Sequence, residues 1–334
     1  MKLCTFSVGE GEPRAGVAVH DYIFDLAASL ELGQTGVDCA RYQSLLGVLR
    51  AGPEGFTPVR RLEEILMRDV EAEPLRSHRY DASKIRLWAP LPRPNTIRDF
   101  IVFEEHLLNS THAVAKRLYP PLAALNQAAR AVTKKFMIRP PKVWYELPLY
   151  YKGSPDTVVG PEHPIEWPSY SNDLDYELEF GAYLWKTGKN ISKSEAASHI
   201  AGFTIFNDVS ARDMQFREMA GRLGPAKGKD FDTGNVMGPY LVTPDEVGDA
   251  YCLEMRGTVN GEEWSHGNSR DMHFTFEEMI QHVSKCETLH PGDFFGSGTV
   301  GTGCGLELGK HLRVGDRVTL EVAKLGRLSN PISG

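Results

Sequence analysis

The chain has 334 residues, of which 41% are hydrophobic and 24% are charged, a composition typical of a globular protein. Its 37 basic and 44 acidic residues give a formal net charge of −7. This balance provides no basic stripe for a phosphate backbone, so DNA and RNA are not expected partners. No apolar run reaches the roughly 18–20 residues that span a bilayer, and we expect no membrane segment.

The cysteine content and the N-terminus indicate a reducing compartment. The five cysteines are odd in number, far apart and never in a CxxC pattern, which argues against a disulfide framework or a thiolate zinc site. The N-terminus becomes polar after seven residues, too early for the apolar core of a signal peptide. We therefore expect a cytoplasmic protein.

The first 92 residues predict a small α+β domain. Two apolar runs bounded by turn residues predict strands, and two runs with apolar residues three and four apart predict helices. In chain order these are residues 2–8, 15–28, 38–50 and 58–70. A strand at about 84–89 then ends at the proline-rich connector 90–94, which cannot continue as a helix. We place the domain boundary there, with the larger domain over residues 93–334.

The larger domain is predicted to be β-rich. Its helices are expected in the alanine-rich stretch 107–136, at 193–200 and at 274–285. Short apolar runs separated by Gly, Pro, Asn and Asp predict the strands. These runs are residues 143–151, 156–159, 174–185, 201–209, 238–243, 252–260, 293–299 and 316–323. Many short strands with few helices favour mixed strand directions over a doubly wound parallel sheet.

Four acidic residues lie within or at the ends of apolar runs. Glu177 and Glu179 share one face of a predicted strand, and the alternative is that this face is exposed to water. Asp208 ends another run, where it could instead cap a helix, and Asp99 follows the proline-rich connector. Together they form an all-oxygen set that suits Mg²⁺, Mn²⁺ or Ca²⁺ better than zinc.

The order of these motifs resembles the fumarylacetoacetate hydrolase superfamily over roughly residues 95–320. Asp99 is followed by His106 seven residues later, and the Glu177-x-Glu179 pair comes next. The remaining matches are Asn207-Asp-Val-Ser-Ala-Arg-Asp-Met-Gln215, Gly228-Lys-Asp-Phe-Asp-Thr233, Met237-Gly-Pro239, Leu289-His-Pro-Gly-Asp293 and Gly296-Ser-Gly-Thr299.

The resemblance implies a fold, a substrate class and an assembly. The expected fold is α+β, with a small N-terminal domain and a β-rich catalytic domain built as a mixed β-sandwich roll. The family's substrates are β-dicarbonyl or 2-oxo acids, so a small oxo acid is the expected partner. A homodimer is also expected.

The resemblance also assigns the metal site and the base. It implies one Mg²⁺, or Mn²⁺ or Ca²⁺ in its place, held by Asp99, Glu177, Glu179 and Asp208. His106 would activate water and a carboxylate would orient it. Our choice for that carboxylate is Glu307, with the sequence neighbours Glu104 and Glu105 as rivals.

Five further positions match family residues that act on the substrate. Arg212 and Lys229 match positions that stabilise developing oxyanion charge, and Gln215 matches a substrate-binding position. Tyr151 matches a substrate-contacting tyrosine, and Thr299 matches a threonine that holds a substrate carboxylate.

These roles predict hydrolytic C–C cleavage of a β-diketo or acylpyruvate-type acid, in aromatic or amino-acid catabolism. The alternative is decarboxylation or isomerisation of a 2-oxo-dienoate or oxaloacetate-like acid, and a minor alternative is a catalytically silent metal- or ligand-binding protein. Ile101 replaces a tyrosine of the metazoan-type hydrolases, so identity with fumarylacetoacetate hydrolase itself is not expected. Cys304 lies near the site in sequence, but no partner histidine is evident, and it is interpreted as a small buried residue.

Overall fold

The computed structural model describes residues 1–32, 37–133, 136 and 139–334. Its N-terminal part combines short strands with helices that pack on one side of them. The strands are β1 (Lys2–Ser7), β2 (Arg14–Val19), β3 (Tyr22–Asp25), β4 (Arg79–Asp81) and β5 (Arg86–Leu87). The helices are α1 (Leu26–Leu32), α2 (Leu45–Arg50) and α3 (Gly52–Arg68).

Two elements of this part differ from the sequence prediction. The strand predicted over residues 15–28 is a hairpin, because His20 adopts the left-handed backbone conformation of a tight turn, with φ at 54°. The helix predicted over residues 38–50 regularises only after Ser44, whose side chain accepts a hydrogen bond from the amide of Gly47 and caps α2. Both differences arise from turn and cap chemistry that the spacing of apolar residues does not report.

The larger part is dominated by strands. They are β6 (Thr96–Phe100), β7 (Tyr150–Gly153), β8 (Val158–Val159), β9 (Ile165–Glu166), β10 (Leu174–Asp175), β11 (Leu178–Leu184), β12 (Gly188–Lys189), β13 (Ile200–Asp208), β14 (Ser210–Ala211), β15 (Asn235–Val242), β16 (Glu254–Val259), β17 (Glu262–Asn268), β18 (Thr288–Leu289), β19 (Asp293–Gly296), β20 (Arg317–Val322) and β21 (Gly326–Ser333). The helices are α4 (Glu104–Leu118), α5 (Pro120–Thr133), α6 (Lys142–Glu146), α7 (Lys193–Ala196), α8 (Arg212–Ala220), α9 (Pro244–Val247), α10 (Phe276–Val283) and α11 (Gly305–Leu308).

The alanine-rich stretch 107–136 forms two helices instead of one. The break falls at Tyr119, because a residue that precedes a proline is disfavoured in the helical conformation and Pro120 begins α5. Residues 134–135 of the predicted helix lie outside the described residues.

The run 143–151, predicted as extended, begins in helix α6 and becomes a strand only at β7. Trp144 of α6 is buried, and its indole N–H donates a hydrogen bond of 2.6 Å to the carbonyl of Ile101. This tertiary contact holds the short helix against the segment that connects β6 to α4.

A large mixed sheet joins the two parts of the chain. Its strand order is β4-β3-β2-β1-β15-β13-β11-β19-β6-β7, with β5 paired to β1 and β8 paired to β15. β1 is antiparallel to β15, with Leu3 opposite Leu241, whereas β19 and β6 are parallel. The boundary predicted at residue 92 therefore falls between two parts that share a sheet, and it remains a prediction.

A second sheet packs against the first. Its order is β17-β16-β20-β21-β9, and its buried side chains, such as Leu320 and Val322, share a core with Leu178 and Ile205 of the large sheet. Strands of both directions in two packed sheets confirm the predicted α+β fold with a β-rich sandwich body. Within the described residues, no helix has the length and apolar character needed to cross a membrane.

Candidate active site

Three of the acidic residues predicted as metal ligands meet in the middle of the large sheet. Glu179 lies on β11, Asp208 ends β13, and Asp99 lies on β6. β19 runs between β11 and β6, and a Cβ added to its Gly296 would lie 2.3 Å from Asp99 Oδ1. Glycine is therefore required at this position to leave room for the carboxylate.

The geometry of these three carboxylates suits a cation. Asp99, Glu179 and Asp208 each place one oxygen within 4.8 Å of the others, and all three side chains are buried. Glu179 accepts hydrogen bonds from the Gly298 amide at 3.1 Å and from the Thr299 hydroxyl at 3.0 Å. Among the described residues, Asp99 Oδ1 has no hydrogen-bond partner. A buried, unpartnered carboxylate oxygen beside two other carboxylates is the environment that a hard divalent cation satisfies.

Glu177, the fourth predicted ligand, contacts two cationic side chains. Its Oε1 lies 2.7 Å from Arg212 Nη1, and its Oε2 accepts a hydrogen bond of 2.6 Å from Lys229 Nζ. Lys229 also donates to Asp208 Oδ2 and so bridges two acids. Burial alone would raise the pKa of Glu177, but Lys229 and Arg212 outweigh it and lower the pKa well below its usual range. A direct ligand role for Glu177 remains a prediction.

The pKa values of the three clustered acids are raised, in contrast to the lowered pKa of Glu177. Burial, together with the neighbouring Asp208, raises the pKa of Asp99 well above its usual value. Burial and the charge of Asp99 do the same for the pKa of Glu179. Burial raises the pKa of Asp208 to about 6, although Lys229 opposes this change. Without a cation, the folded cluster therefore holds protons that the unfolded chain would release.

These pKa values predict how pH and Mg²⁺ act on stability. An acid with a raised pKa in the folded state contributes stability below its unfolded pKa near 4 and loses it as pH rises through the folded value. Mg²⁺ would replace the protons, so it should raise the Tm of metal-stripped protein more at pH 7 than at pH 5. At a concentration 100 times its Kd at pH 7, the rise at that pH should be about 4 °C. Thermal unfolding followed by circular dichroism tests this, and an equal rise at both pH values would contradict it.

His106 forms a buried pair with Glu307. His106 lies in the first turn of α4, and its Nδ1 is 2.6 Å from Glu307 Oε1 of α11. The other oxygen of Glu307 accepts hydrogen bonds from Asn109 Nδ2 at 3.0 Å and from the Thr302 amide at 2.8 Å. Because an ionised carboxylate only accepts, the proton of the neutral imidazole is placed on Nδ1 and Nε2 keeps a lone pair.

The rival carboxylates have other surroundings. Glu104 accepts a hydrogen bond of 2.5 Å from the hydroxyl of Tyr145. Glu105 packs against Gly301, where an added Cβ would lie 2.7 Å from Glu105 Oε2. In the part of the chain that the structure describes, neither residue is hydrogen-bonded to His106, and the geometry favours Glu307 as the orienting group.

A cavity of about 750 Å³ opens beside the acids, and most of the predicted site residues line it. His106, Lys229, Tyr151, Gln215 and Thr299 all contribute to its wall. The rest of the wall is partly apolar and includes Ile101, Leu149, Tyr150, Met219, Leu223 and Pro225. The cavity therefore combines a charged inner end with an apolar side, a common arrangement in small-molecule sites.

The remaining predicted residues are held by the same network. The Tyr151 hydroxyl donates to Asp208 Oδ1 at 2.8 Å, and Gln215 Oε1 accepts from Arg212 Nη1 at 3.0 Å. Arg212 itself lines a second cavity of about 520 Å³, on the side of the site where Glu307 lies. Arg212 therefore reaches the first cavity through Glu177 and Gln215.

Asp175 is a site residue that sequence reasoning missed. Its Oδ2 accepts hydrogen bonds from Arg212 Nε at 2.9 Å and Nη2 at 2.8 Å, and from the Leu306 amide at 2.9 Å. Its Oδ1 accepts from the Gly305 amide at 2.8 Å. One buried carboxylate thus fixes both Arg212 and the first turn of the helix that carries Glu307. Asp175 precedes Glu177 by two residues and therefore lies next to the motif in the sequence, but only the Glu-x-Glu pair was interpreted as functional.

We predict that Asp175→Asn lowers kcat by roughly 10–100-fold, as loss of a supporting partner of functional groups often does. An amide cannot accept all the bonds that the carboxylate accepts, and its NH₂ group would face donors. The matched control is Asp173→Asn, two residues earlier, whose carboxylate pairs with the exposed Arg117. Steady-state kinetics on folded variants measure the effect, and equal losses in both variants would contradict a positioning role.

Cys304 also has partners that the sequence did not reveal. Its buried thiol donates to Glu307 Oε1 at 3.4 Å, and its Sγ forms a cluster with ligand atoms of His106 and Glu307 that lie within 4.8 Å of one another. Burial raises the pKa of this thiol well above its usual value.

Comparison of the sequence and the fold with known proteins identifies the family of this chain. The sequence model of the fumarylacetoacetate (FAA) hydrolase C-terminal domain matches residues 122–333. The chain is 38% identical over 186 residues to the mitochondrial oxaloacetate tautomerase fahd2 of Xenopus laevis, an alignment that covers 55% of this chain and 58% of that protein. It therefore spans little more than half the length of that relative.

Two further proteins match over longer stretches. The oxaloacetate tautomerase YisK of Bacillus subtilis is 31% identical over 260 residues, which cover 77% of this chain and 76% of YisK. The crystal structure of maleylpyruvate hydrolase from Sphingobium sp. SYK-6, in complex with manganese(II) and pyruvate, superimposes with a TM-score of 0.69 at 22% identity, covering 100% of this chain and 99% of that one. The chain therefore belongs to the fumarylacetoacetate hydrolase family.

Proposed function

We propose that this chain catalyses the keto–enol tautomerisation of oxaloacetate, or of a closely similar 2-oxo dicarboxylic acid, in a metal-dependent site. The names of the Xenopus and Bacillus relatives support this reaction over the C–C hydrolysis that the motifs first suggested. The observation in this chain that carries the proposal is an oriented base, His106, on the wall of a cavity that also contains three clustered carboxylates and Lys229.

Asp99, Glu179 and Asp208 would hold the cation. Their oxygen donors suit Mg²⁺, Mn²⁺ or Ca²⁺, and the unpartnered Oδ1 of Asp99 supports a bound ion. When bound, such an ion acts as a Lewis acid that stabilises negative charge on a carbonyl oxygen. The manganese in the maleylpyruvate hydrolase structure supports a divalent metal without identifying the one used here.

The side chains would move one proton. His106 Nε2 takes a proton from the methylene carbon between the keto carbon and the distal carboxylate. The keto oxygen gains a proton from solvent and the imidazolium later returns its proton to solvent, so no atom is added or lost. Glu307 keeps Nδ1 protonated and stabilises the imidazolium that forms. Lys229, on the wall of the same cavity, adds positive charge where the enolate oxygen develops.

Hydrolytic C–C cleavage of an acylpyruvate-type acid is the second candidate. The His106–Glu307 pair favours it, because the same base can remove a proton from water. The hydroxide would add to a carbonyl carbon, the C–C bond would break, and the products would be a carboxylic acid and a 2-oxo acid. The apolar side of the cavity would accommodate an acyl chain that oxaloacetate lacks.

One set of assays separates these reactions. Metal-stripped protein, with and without restored Mg²⁺, is mixed with the enol form of oxaloacetate, and the enol ultraviolet absorbance is followed against a control with Mg²⁺ alone. Enzyme-dependent decay without release of CO₂ supports tautomerisation, and release of CO₂ indicates decarboxylation. Formation of acetate and pyruvate from acetylpyruvate indicates hydrolysis. Metal binding without turnover of either acid would leave a silent binding protein and overturn the proposal.

Several coarser expectations stay predictions beside this proposal. They are a homodimer, a boundary between two domains at residue 92, a cytoplasmic location and a role in aromatic or amino-acid catabolism. Light scattering coupled to size-exclusion chromatography tests the first of them directly.

A further inference from the structure

We propose that His106, Cys304 and Glu307 form a second, inhibitory metal site that takes Zn²⁺ or a similarly thiophilic divalent cation. The site shares no residue with the all-oxygen cluster on β6, β11 and β13, and it offers one nitrogen, one sulfur and one oxygen donor. Mixed donors of this kind favour zinc, whereas Mg²⁺ and Ca²⁺ prefer oxygen alone.

The three donor atoms already converge. His106 Nδ1 lies 2.6 Å and Cys304 Sγ 3.4 Å from Glu307 Oε1, and all three atoms fit within 4.8 Å. In a tetrahedral zinc site, bond lengths of about 2.0–2.3 Å separate ligand atoms by about 3.3–3.7 Å. The histidine and the carboxylate would have to separate by only about 0.7 Å, which small side-chain rotations supply.

The surroundings meet the other requirements of a zinc site. Glu307 Oε2 accepts hydrogen bonds from Asn109 and from the Thr302 amide. These bonds would keep the carboxylate in position while its other oxygen, Oε1, binds a metal. Glu307 and Asn109 also line the second cavity of about 520 Å³, so the carboxylate side of the site borders open space from which a cation could approach.

Zinc at this position would disable the base. The thiol of Cys304 releases its proton to solvent, and the imidazole proton moves from Nδ1 to Nε2 as Nδ1 binds the metal. The Nε2 lone pair that faces the substrate is then lost, and the Glu307 contact that orients the ring is replaced by a metal bond. The inhibition rests on the proposed function, whereas the binding does not.

Cobalt provides a readout of binding that does not depend on turnover. The test uses full-length protein in which Cys39, Cys252 and Cys286 are serine and Mg²⁺ is saturating, so that Cys4 and Cys304 remain. One equivalent of Co²⁺ should give a near-ultraviolet thiolate-to-cobalt absorption that Zn²⁺ abolishes. Cys304→Ser in this background should remove the absorption and weaken zinc inhibition of turnover by at least about tenfold.

The outcomes are decisive in either direction. Absorption that persists in Cys304→Ser, or that never forms in the parent protein, would overturn the site whether or not the protein is a tautomerase. If Cys304→Ser fails to fold, zinc-edge X-ray absorption of the parent decides the question, because the site requires one sulfur ligand with nitrogen and oxygen neighbours. A zinc shell without sulfur would refute the proposal.

Discussion

Replacing His106 with alanine is expected to lower the rate of enol-to-keto conversion by about 10²–10⁴-fold, the usual contribution of a positioned general base. The change removes the side chain that holds a lone pair toward the cavity, while the three clustered acids stay in place. Enol absorbance decay in Mg²⁺-saturated protein measures the loss. The matched control is His112→Ala on the same helix, whose ring contacts Asn126 and lies outside the first cavity.

Glu307→Gln tests the same base through its partner. The amide cannot stabilise an imidazolium and can impose the wrong tautomer on His106, so a loss of similar order is expected. Turnover that survives in both variants would exclude His106 as the base. If CO₂ release from oxaloacetate also persisted, the chemistry would need only the metal, and the decarboxylase alternative would become the better hypothesis.

The sequence predicted the acids of the site better than the contacts among them. Asp99, Glu179 and Asp208 were recognisable because each lies within or at the end of an apolar run, and neighbouring strands of the large sheet bring such positions together. The contact between His106 and Glu307 joins residues 201 apart in the chain, and local patterning cannot separate Glu307 from Glu104 or Glu105. That distinction needs the packing of α11 against α4.

The fold, too, was predictable from the sequence only in its local elements and not in their arrangement. Short apolar runs predicted a β-rich body, because strand alternation is a property of the local sequence. The order of strands in the large sheet depends on pairings between distant segments, such as β1 with β15, and no local pattern encodes them. The role of Asp175 was missed for the same reason, although the residue itself lies two positions before Glu177, since its partners Arg212, Gly305 and Leu306 are 37 to 131 residues away.

Substitution of Asp99 and of Glu177 by the corresponding amides should change the stability of the protein in opposite directions. Asp99→Asn should stabilise metal-free protein at pH 7, by roughly 0.5–2 kcal/mol, the usual size of a stabilising single substitution. The amide is uncharged at every pH, so folding no longer has to bind the proton that Asp99 takes up, and its NH₂ group can donate a hydrogen bond to Glu179. The same change should lower activity by more than the roughly 10–100-fold expected for a supporting residue, because Asp99 is a proposed metal ligand.

Glu177→Gln is the matched comparison and should destabilise the protein, by at most roughly 3–5 kcal/mol, because it removes one of the two carboxylate partners of each buried cation, Arg212 and Lys229. Urea unfolding of both variants in the metal-free state measures the two signs. If both substitutions stabilise the protein, Glu177 belongs electrostatically to the repelling cluster and its ion pairs are not formed in solution. If both destabilise it, Asp99 has a partner other than a cation, and the case for a metal at these acids loses its main physical support.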